Sequence, residues 1–215
     1  MSTTMARLKT KTKTLRTEAM AETRERLLAA GAELFTKEGL DGPSLDAICE
    51  RAGFTRGAFY VHFHDRDAFL VAVMERVGLP FLDDVLGDAD GARETPTLET
   101  VVARFLSAVA TDRYPLTSKE GPRPHQLLDA CARSPEIRAR YVGLVSDSIT
   151  RLSRVLTASQ AEGKVRRDVR AEDVSTVLLA AIIGAQTMME LEAPLDLPSA
   201  ASALLTMVGP DPKKR

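Results

Sequence analysis

Tryptophan is absent from this 215-residue chain, and other aromatic residues are few, with seven phenylalanines and three tyrosines. Alanine and leucine are plentiful instead, which favours helices. No apolar run approaches the roughly 20 residues that a membrane-spanning helix needs. No apolar stretch follows the basic residues at the N-terminus, so the pattern of a secretory signal is also absent. We therefore expect a helical, cytoplasmic protein without a membrane partner.

Cysteine is equally scarce, and motifs typical of enzymes are missing. The two cysteines, Cys49 and Cys131, lie far apart and each falls on the apolar side of a predicted helix. We therefore expect buried free thiols rather than a disulfide. The chain contains no nucleophile motif, phosphate-binding loop or paired-carboxylate pattern. The sequence accordingly predicts neither an enzyme nor a cofactor.

Two stretches have the residue types of a metal site without its geometry. The stretch His62-x-His64-Asp65-x-Asp67 spans the end of one predicted helix and the start of the next. Its side chains are therefore not expected to converge on one ion. Residues 83–91 are rich in aspartate but lack the 12-residue loop with a terminal glutamate that binds calcium. We interpret them as a solvated acidic loop and predict no metal site.

The charges almost cancel over the whole chain, but one segment is strongly basic. A net charge of −1 does not suggest a general nucleic-acid binder. Two interpretations of the basic segment, residues 1–17, remain open: a disordered solubilising tail, or an arm that follows DNA phosphates or enters a minor groove. The segment has no acidic residue, and its basic residues are Arg7, Lys9, Lys11, Lys13 and Arg16.

The N-terminal third has the pattern of a helix-turn-helix. Apolar spacing predicts helices over about 18–37, 45–52, 55–63 and 65–77. Ser44, Thr55 and Asp65 are suitable N-caps for the last three of these. Gly53 ends the second helix just before the third begins, which gives the tight turn of the motif.

The remainder of the chain also has helical periodicity, interrupted by glycine- and proline-rich breaks. No segment has a convincing strand pattern, so the fold class is all-α. The helix at 171–192 is apolar on nearly all sides, and both sides of such a helix must be packed against other parts of the structure. We expect its second side to contact another subunit, in a homodimer formed by the last two helices, about 171–208. The predicted helices are about 98–112, 125–133, 136–162, 171–192 and 198–208, with breaks at 78–96 and 113–124.

Residues 23–77 resemble the DNA-binding domain of the TetR family of regulators. The matching positions begin with Arg24-x-x-Leu-Leu-x-x-Gly-x-x-Leu-Phe35 and continue through Ser44-Leu45-x-x-Ile48 and Ala52-Gly53. They end with Gly57-Ala-Phe-Tyr-Val-His-Phe63, Asp65-Arg-Asp67 and Phe69-Leu70. More than a dozen positions match in register, over about a quarter of the chain.

The resemblance implies a transcriptional regulator with two helical domains. The expected parts are a basic flexible arm (1–17), the helix-turn-helix domain (18–64), a larger ligand-binding and dimerisation domain (65–209) and a disordered tail (210–215). The expected function is a repressor that leaves a palindromic operator when a small molecule binds. An activator or dual regulator without an inducer is the main alternative. An all-helical enzyme or carrier, and a purely structural dimerisation module, are remote ones.

Several residues depart from the usual pattern of the family. Gly31 replaces a usual alanine, which should weaken the first helix by about 1 kcal/mol. Asp46 lies where a basic or polar residue is common. Cys49, Phe54 and Arg66 also replace the usual types, and together these changes obscure the operator sequence.

The candidate DNA contacts lie around the third helix, whose N-terminal residues should approach the bases. Arg56 is predicted to be exposed and to bind guanine through O6 and N7, or else a phosphate. Gly57 and Ala58 have small side chains and allow the backbone close to the base edges. The resemblance implies that Tyr60 and His62 bind phosphates, although either could be a polar residue of the core.

Three further residues complete the predicted DNA site. Arg66 lies in the first turn of the next helix, beside free backbone N–H groups, where a phosphate would bind. Ser44 and Thr55 are helix caps whose hydroxyls could also face phosphates.

The ligand site is expected among the helices between about 98 and 189, with an apolar lining and a few polar anchors. For each residue named here, a simple core role remains the alternative. The candidates are Phe105, Val109, His125, Gln126, Leu128, Tyr141, Val145 and Met188.

Overall fold

The computed structural model describes the backbone of residues 2–88, 95–111, 113 and 124–210. It describes their side chains from Leu15 onward, except that of Pro124. This part of the chain is helical and contains no strand, so the predicted all-α class is confirmed. The helices are α1 (Ser2–Glu38), α2 (Leu45–Ala52), α3 (Arg56–His62), α4 (Arg66–Leu86), α5 (Leu98–Ala110), α6 (Pro124–Arg133), α7 (Pro135–Ala161), α8 (Ala171–Glu190) and α9 (Leu197–Val208).

Helix α1 is much longer than the sequence predicted, because it begins at Ser2 rather than near residue 18. The basic segment at 1–17 was expected to be flexible, yet from Ser2 its backbone is helical. No glycine or proline occurs between Ser2 and Ala30, so no residue type that breaks helices interrupts the segment. Much of the predicted breaks at 78–96 and 113–124 and of the predicted tail at 210–215 lies outside the described residues, which omit 89–94, 114–123 and 211–215.

The boundaries of α2, α3 and α4 follow from local capping chemistry. The side chains of Ser44, Thr55 and Asp65 each accept a hydrogen bond from the backbone N–H three residues later. Gly53 follows α2 with a φ of 77°, in the left-handed region that glycine adopts without strain. The three predicted N-caps are therefore confirmed, and with them the helix-turn-helix of α2 and α3.

Helix α4 does not end at the predicted break but continues through Gly78 and Pro80 to Leu86. The proline removes one backbone donor from the helix. Apolar residues beyond it, Phe81 and Val85, pack in the core formed with α5 and α7. This packing outweighs the unfavourable helix propensities. Asp83 consequently lies in α4 and not in the solvated loop that was predicted.

Two hydrophobic cores lie along α4. The first joins the helix-turn-helix to α6 and the start of α7, and it contains both cysteines as buried free thiols, as predicted. The second lies between the end of α4 and helices α5, α7, α8 and α9. Because α4 contributes to both cores, the boundary at 64/65 stays a prediction. The first core includes Phe35, Ile48, Phe59, Phe63, Phe69, Val73 and Ile137.

Gly31, which departs from the family pattern, is explained by a cluster of phenylalanine rings. A Cβ atom at Gly31 would lie 2.4 Å from Cζ of Phe69. Phe69 is fully buried, with ring centroids of Phe59 and Phe63 at 5.1 and 4.9 Å. The ring therefore has little room to move aside.

We predict that Gly31→Ala lowers the free energy of unfolding by about 1–2 kcal/mol, because overpacking exceeds the gain in helix propensity. Gly143→Ala is the matched control: its Cβ would approach nothing closer than Nη1 of Arg140 at 4.0 Å. The control should be stabilising by up to about 1 kcal/mol. Urea unfolding of both variants checks the prediction, and a more stable Gly31→Ala protein would contradict it.

Candidate DNA interface and ligand cavity

One side of α3 is exposed and lies outside the hydrophobic core. Arg56, Gly57 and Tyr60 lie on it, as the sequence predicted. Val61 lies there too and is 65% exposed. The sequence analysis overlooked Val61, although its position, two residues from both Phe59 and Phe63, already separates it from the core.

The guanidinium of Arg56 is held by Asp46, at the start of α2. The contact is bidentate: Nη2 donates to Oδ2 at 2.7 Å, and Nε donates to Oδ1. Both side chains are exposed, at 58% and 67%. The hydrogen bond to Asp46 raises the pKa of Arg56, which therefore stays charged. The predicted base-reading residue thus has an acidic partner on the surface of the motif.

Gly57 is not required by the fold. Its φ is not positive, and an added Cβ would meet only Oγ1 of Thr55, at 3.6 Å. An alanine would fit and would favour the helix by about 1 kcal/mol. The small residue therefore leaves space on the exposed side of α3, where another molecule can approach the backbone.

Tyr60 and His62 differ in their surroundings. The ring of Tyr60 packs edge-on against Phe59, but the side chain is 55% exposed. His62 is half-buried beside Phe63, with ring centroids 6.2 Å apart. Tyr60 is therefore not a core residue, whereas His62 lies at the edge of the core.

Arg66 is occupied within the protein instead of lying free to bind a phosphate. Its guanidinium donates to the carbonyl oxygens of Pro43 and Leu40, at 2.7 and 2.8 Å. It also lies over the ring of Phe35, 5.7 Å from the centroid. Arg66 thus fixes the loop that leads into α2. Capping gave no sign of this contact, because its partners are backbone groups more than 20 residues away.

A cavity of about 810 Å³ lies between α4, α5, α7, α8 and α9, and Leu127 of α6 completes its lining. Among the described residues its lining contains no charged side chain, and its polar side chains are Tyr141, Ser148, Gln186 and Thr187. The hydroxyl of Ser148 donates to Leu144 O, at 2.8 Å. The side-chain nitrogen of Gln186 is buried and has no hydrogen-bond partner within the described chain.

Four of the eight predicted ligand residues line this cavity: Phe105, Tyr141, Val145 and Met188. A tyrosine hydroxyl is protonated at neutral pH, and burial raises the pKa of Tyr141 further.

The other four predicted ligand residues do not line the cavity. His125 pairs with Glu190, and Leu128 is 58% exposed. Gln126 lies beside Gly39, where an added Cβ would be 2.9 Å from its Oε1. Val109 is half-buried outside the lining. The periodicity of α6 shows which residues share a side, but not that α6 packs mainly on α7.

The sequence analysis missed much of the lining. Gln186 is a polar residue within an apolar stretch of α8, and this was the only sequence feature that indicated a ligand contact. The residues from α4 and α9 were missed because α4 was thought to end near 78 and because α9 was assigned only to the dimer. They include Val77, Phe81, Val85, Ala201, Leu204 and Leu205.

A buried arginine joins the helices that form one wall of the cavity. Arg151 of α7 is 3% exposed and donates to Asp147 at 2.9 Å, to Asp83 of α4, and to the carbonyl of Gly87 at 3.0 Å. Burial lowers the pKa of Arg151, but the hydrogen bonds to both aspartates outweigh it and leave the pKa raised. The guanidinium therefore stays charged.

Helices α8 and α9 expose several large apolar side chains. Val177 is 64% exposed, and Leu191 and Met207 are 74% and 69% exposed. Apolar residues at this density on neighbouring helices are typical of a surface that contacts another molecule. No helix within the described ranges is both long and apolar enough to cross a membrane.

Comparison with known proteins agrees with this arrangement. The model of the family described as bacterial regulatory proteins, tetR family, matches residues 27–73. The HTH-type transcriptional repressor BepR of Brucella suis is 27% identical over 171 residues, which are 76% of this chain and 78% of BepR.

Solved structures extend the similarity over most of the chain. Reduced NemR of Escherichia coli superposes with a TM-score of 0.71 at 20% identity, covering 88% of this chain and 98% of NemR. SmeT, the repressor of the Stenotrophomonas maltophilia multidrug efflux pump SmeDEF, superposes with a TM-score of 0.60 at 26% identity, covering 86% and 89%. Residues 27–73 therefore form a DNA-binding domain of the type found in the tetR family of bacterial regulatory proteins, and the chain is a DNA-binding transcriptional regulator.

Proposed function

We propose that this regulator is a repressor: a homodimer binds a near-palindromic operator and leaves it when a small molecule fills the cavity. The observation that carries the proposal is the exposed side of α3. It presents a charged arginine, a glycine that the fold does not need and an exposed tyrosine, all beside one another. No packing role accounts for this combination, whereas a helix that enters the major groove would use all three.

Each of these residues has a definite role in the proposed complex. Arg56 binds guanine O6 and N7 once it leaves Asp46. Gly57 and Ala58 allow α3 to approach the base edges, and Val61 can contact a thymine methyl. Tyr60 and His62 bind phosphates at the margin of the groove. Ser44 and Thr55 are helix caps first, and both are exposed, so a phosphate can also reach their hydroxyls.

The dimer is proposed to form through α8 and α9. Their exposed apolar side chains would be covered by the same helices of a second subunit, in a self-complementary interface. Two copies of α3 would then lie about 34 Å apart, one turn of DNA, and bind two half-sites. Because operator DNA lies inside the bacterial cell, we propose that the protein is cytoplasmic.

Ligand release is proposed to act through α4. This helix begins beside the helix-turn-helix and ends in the wall of the cavity, so a ligand that displaces its end changes the position of α3. A ligand lowers DNA affinity only to the extent that it binds more tightly to a conformation in which the spacing of the two α3 helices does not fit the half-sites. BepR and NemR are named repressors, and SmeT has been solved in complex with triclosan. No feature of this chain favours an activator.

The proposal is tested by fluorescence anisotropy with the DNA upstream of the protein's own gene, at several salt concentrations. We expect tight binding that weakens with salt, at two protomers per palindrome. Gly57→Ala should weaken this binding about tenfold, because its methyl group would lie between α3 and the bases. The variant should melt no lower than the wild type, since the methyl group fits the free protein.

Two outcomes would count against the proposal. A lower melting temperature for Gly57→Ala would give the glycine a structural role. Weak binding that does not depend on DNA sequence, even after selection from random DNA, would contradict specific binding to an operator. Arg154→Ala is the control for charge, because Arg154 is exposed on α7, far from α3 in sequence; it should bind DNA like the wild type.

A further inference from the structure

The lining of the cavity gives information about the chemistry of its ligand. Side chains from six helices surround the space, and every charged group on these helices lies outside the described lining. Arg151 and Asp147 lie beside the lining residues Leu152 and Ser148, but they bind each other. A charged ligand would therefore lose its hydration and find no counter-charge among the described residues of the lining.

The few polar groups of the lining differ in their capacity for hydrogen bonds. The hydroxyls of Ser148 and Thr187 donate to carbonyls of their own helices. The side-chain nitrogen of Gln186 has no partner among the described residues, and the last torsion of a glutamine is broad enough for the amide to turn towards a ligand. The hydroxyl of Tyr141, a residue of the lining, is a second donor.

The size of the cavity is that of a site for small organic molecules. Its volume of about 810 Å³ falls in the upper part of the usual range for ligand pockets, roughly 300–1,000 Å³. Met188 and Met74 are flexible parts of the wall and can adapt to ligands of different outline.

We propose that the cavity selects uncharged, predominantly apolar molecules that carry a hydrogen-bond acceptor, with the Gln186 amide as the first anchor and the Tyr141 hydroxyl as the second. Organic cations and carboxylates are excluded. This inference rests on the proposed ligand site and names the class of ligand that the site takes.

A series of probes that share one ring system tests the selection by charge. Each probe displaces the neutral dye N-phenyl-1-naphthylamine from the full-length protein. The probes are 1-acetylnaphthalene, 1-naphthoate and (1-naphthylmethyl)trimethylammonium, so the ring is constant and only the charge changes. We expect the neutral ketone to displace the dye at a concentration at least tenfold below that of either ion. Equal or tighter binding of an ion, or no binding of the dye, would overturn the proposal.

Substitutions test the role of the anchors. Gln186→Leu should weaken binding of 1-acetylnaphthalene roughly 3- to 10-fold, the usual effect of one hydrogen bond. Binding of naphthalene, which has no acceptor, should not weaken. The variant should melt no lower than the wild type, because it removes an unpaired polar atom. Met189→Leu, on α8 but outside the lining, is the control. If Gln186→Leu weakened the binding of 1-acetylnaphthalene and naphthalene equally, Gln186 would not be an anchor for the acceptor.

The dye experiment and the operator experiment fail separately. Selective binding of the neutral probe without any change in operator affinity would keep this inference and reject ligand release. Operator binding by a protein that prefers a charged probe would keep the regulator and reject the inference.

Discussion

Replacing Asp83 and Asp147 together by alanine will lower the free energy of unfolding by about 3 kcal/mol, while Arg151→Met will cost less than half as much. Both changes remove the same contacts between α4 and α7. They differ in what remains: the first leaves a buried guanidinium without a counter-charge, and the second leaves two carboxylates that water can reach.

The burial of the three side chains decides the sign of this difference. Arg151 is 3% exposed, whereas Asp83 and Asp147 are 46% and 34% exposed. An uncompensated buried charge costs roughly 3–5 kcal/mol. We take the lower end because the carbonyl of Gly87 still accepts one hydrogen bond from the arginine. Exposed carboxylates lose little when their partner is removed.

Urea unfolding of the two variants at neutral pH measures the difference. Arg154→Met, an exposed position on the same helix, reports the effect of losing a positive charge alone. If Arg151→Met proved the more damaging change, the guanidinium would be essential for packing and the argument from unpaired charge would be wrong. Because this network joins α4 to the cavity wall, the same variants also show whether it transmits ligand binding to the operator.

The sequence predicted best those features that depend on neighbouring residues. Ser44, Thr55 and Asp65 cap helices through bonds to residues three positions later, and Gly53 adopts the φ that its position requires. The burial of Phe59 and the exposure of Arg56 likewise follow from the spacing of apolar residues within one short helix. Such contacts depend on only a few consecutive residues.

Contacts between distant segments were the ones that the sequence could not predict. Asp83 was assigned to a loop because Gly78, Pro80 and Gly87 surround it, yet packing on α7 keeps α4 helical. Arg66 binds carbonyl oxygens that carry no residue-specific signal. Three ligand candidates, His125, Gln126 and Leu128, failed to line the cavity because the rotation of α6 depends on its neighbours and not on its own pattern.

Arg56→Ala and Asp46→Asn will change operator binding in opposite directions. Arg56→Ala should weaken binding about 100-fold, near the upper end of the roughly 1–3 kcal/mol that a bidentate contact to guanine contributes. It also leaves the carboxylate of Asp46 facing DNA without a partner. Asp46→Asn removes that negative charge and the competitor for the guanidinium, so affinity should rise about tenfold.

The gain from Asp46→Asn should be greater for random DNA than for the operator. A guanidinium freed from its bidentate partner can reach many phosphates, and a phosphate contact carries no sequence information. We therefore expect a lower specificity ratio and a salt slope that is steeper by about 1. Asp46 lies in the first turn of α2, where a negative charge is favourable. The variant should thus be slightly less stable while it binds DNA more tightly.

A double-mutant cycle separates the ion pair from general electrostatics. Glu50→Gln removes the same charge from an exposed position of α2 that has no contact with Arg56 in the structure, so it should raise affinity much less than Asp46→Asn. In the Arg56→Ala background the effect of Asp46→Asn should shrink towards that of Glu50→Gln, because no guanidinium remains to be released. Equal effects of Asp46→Asn in both backgrounds would show that the carboxylate acts on DNA directly. A loss of operator affinity with Asp46→Asn would mean that the carboxylate positions Arg56 for the base, instead of competing for it.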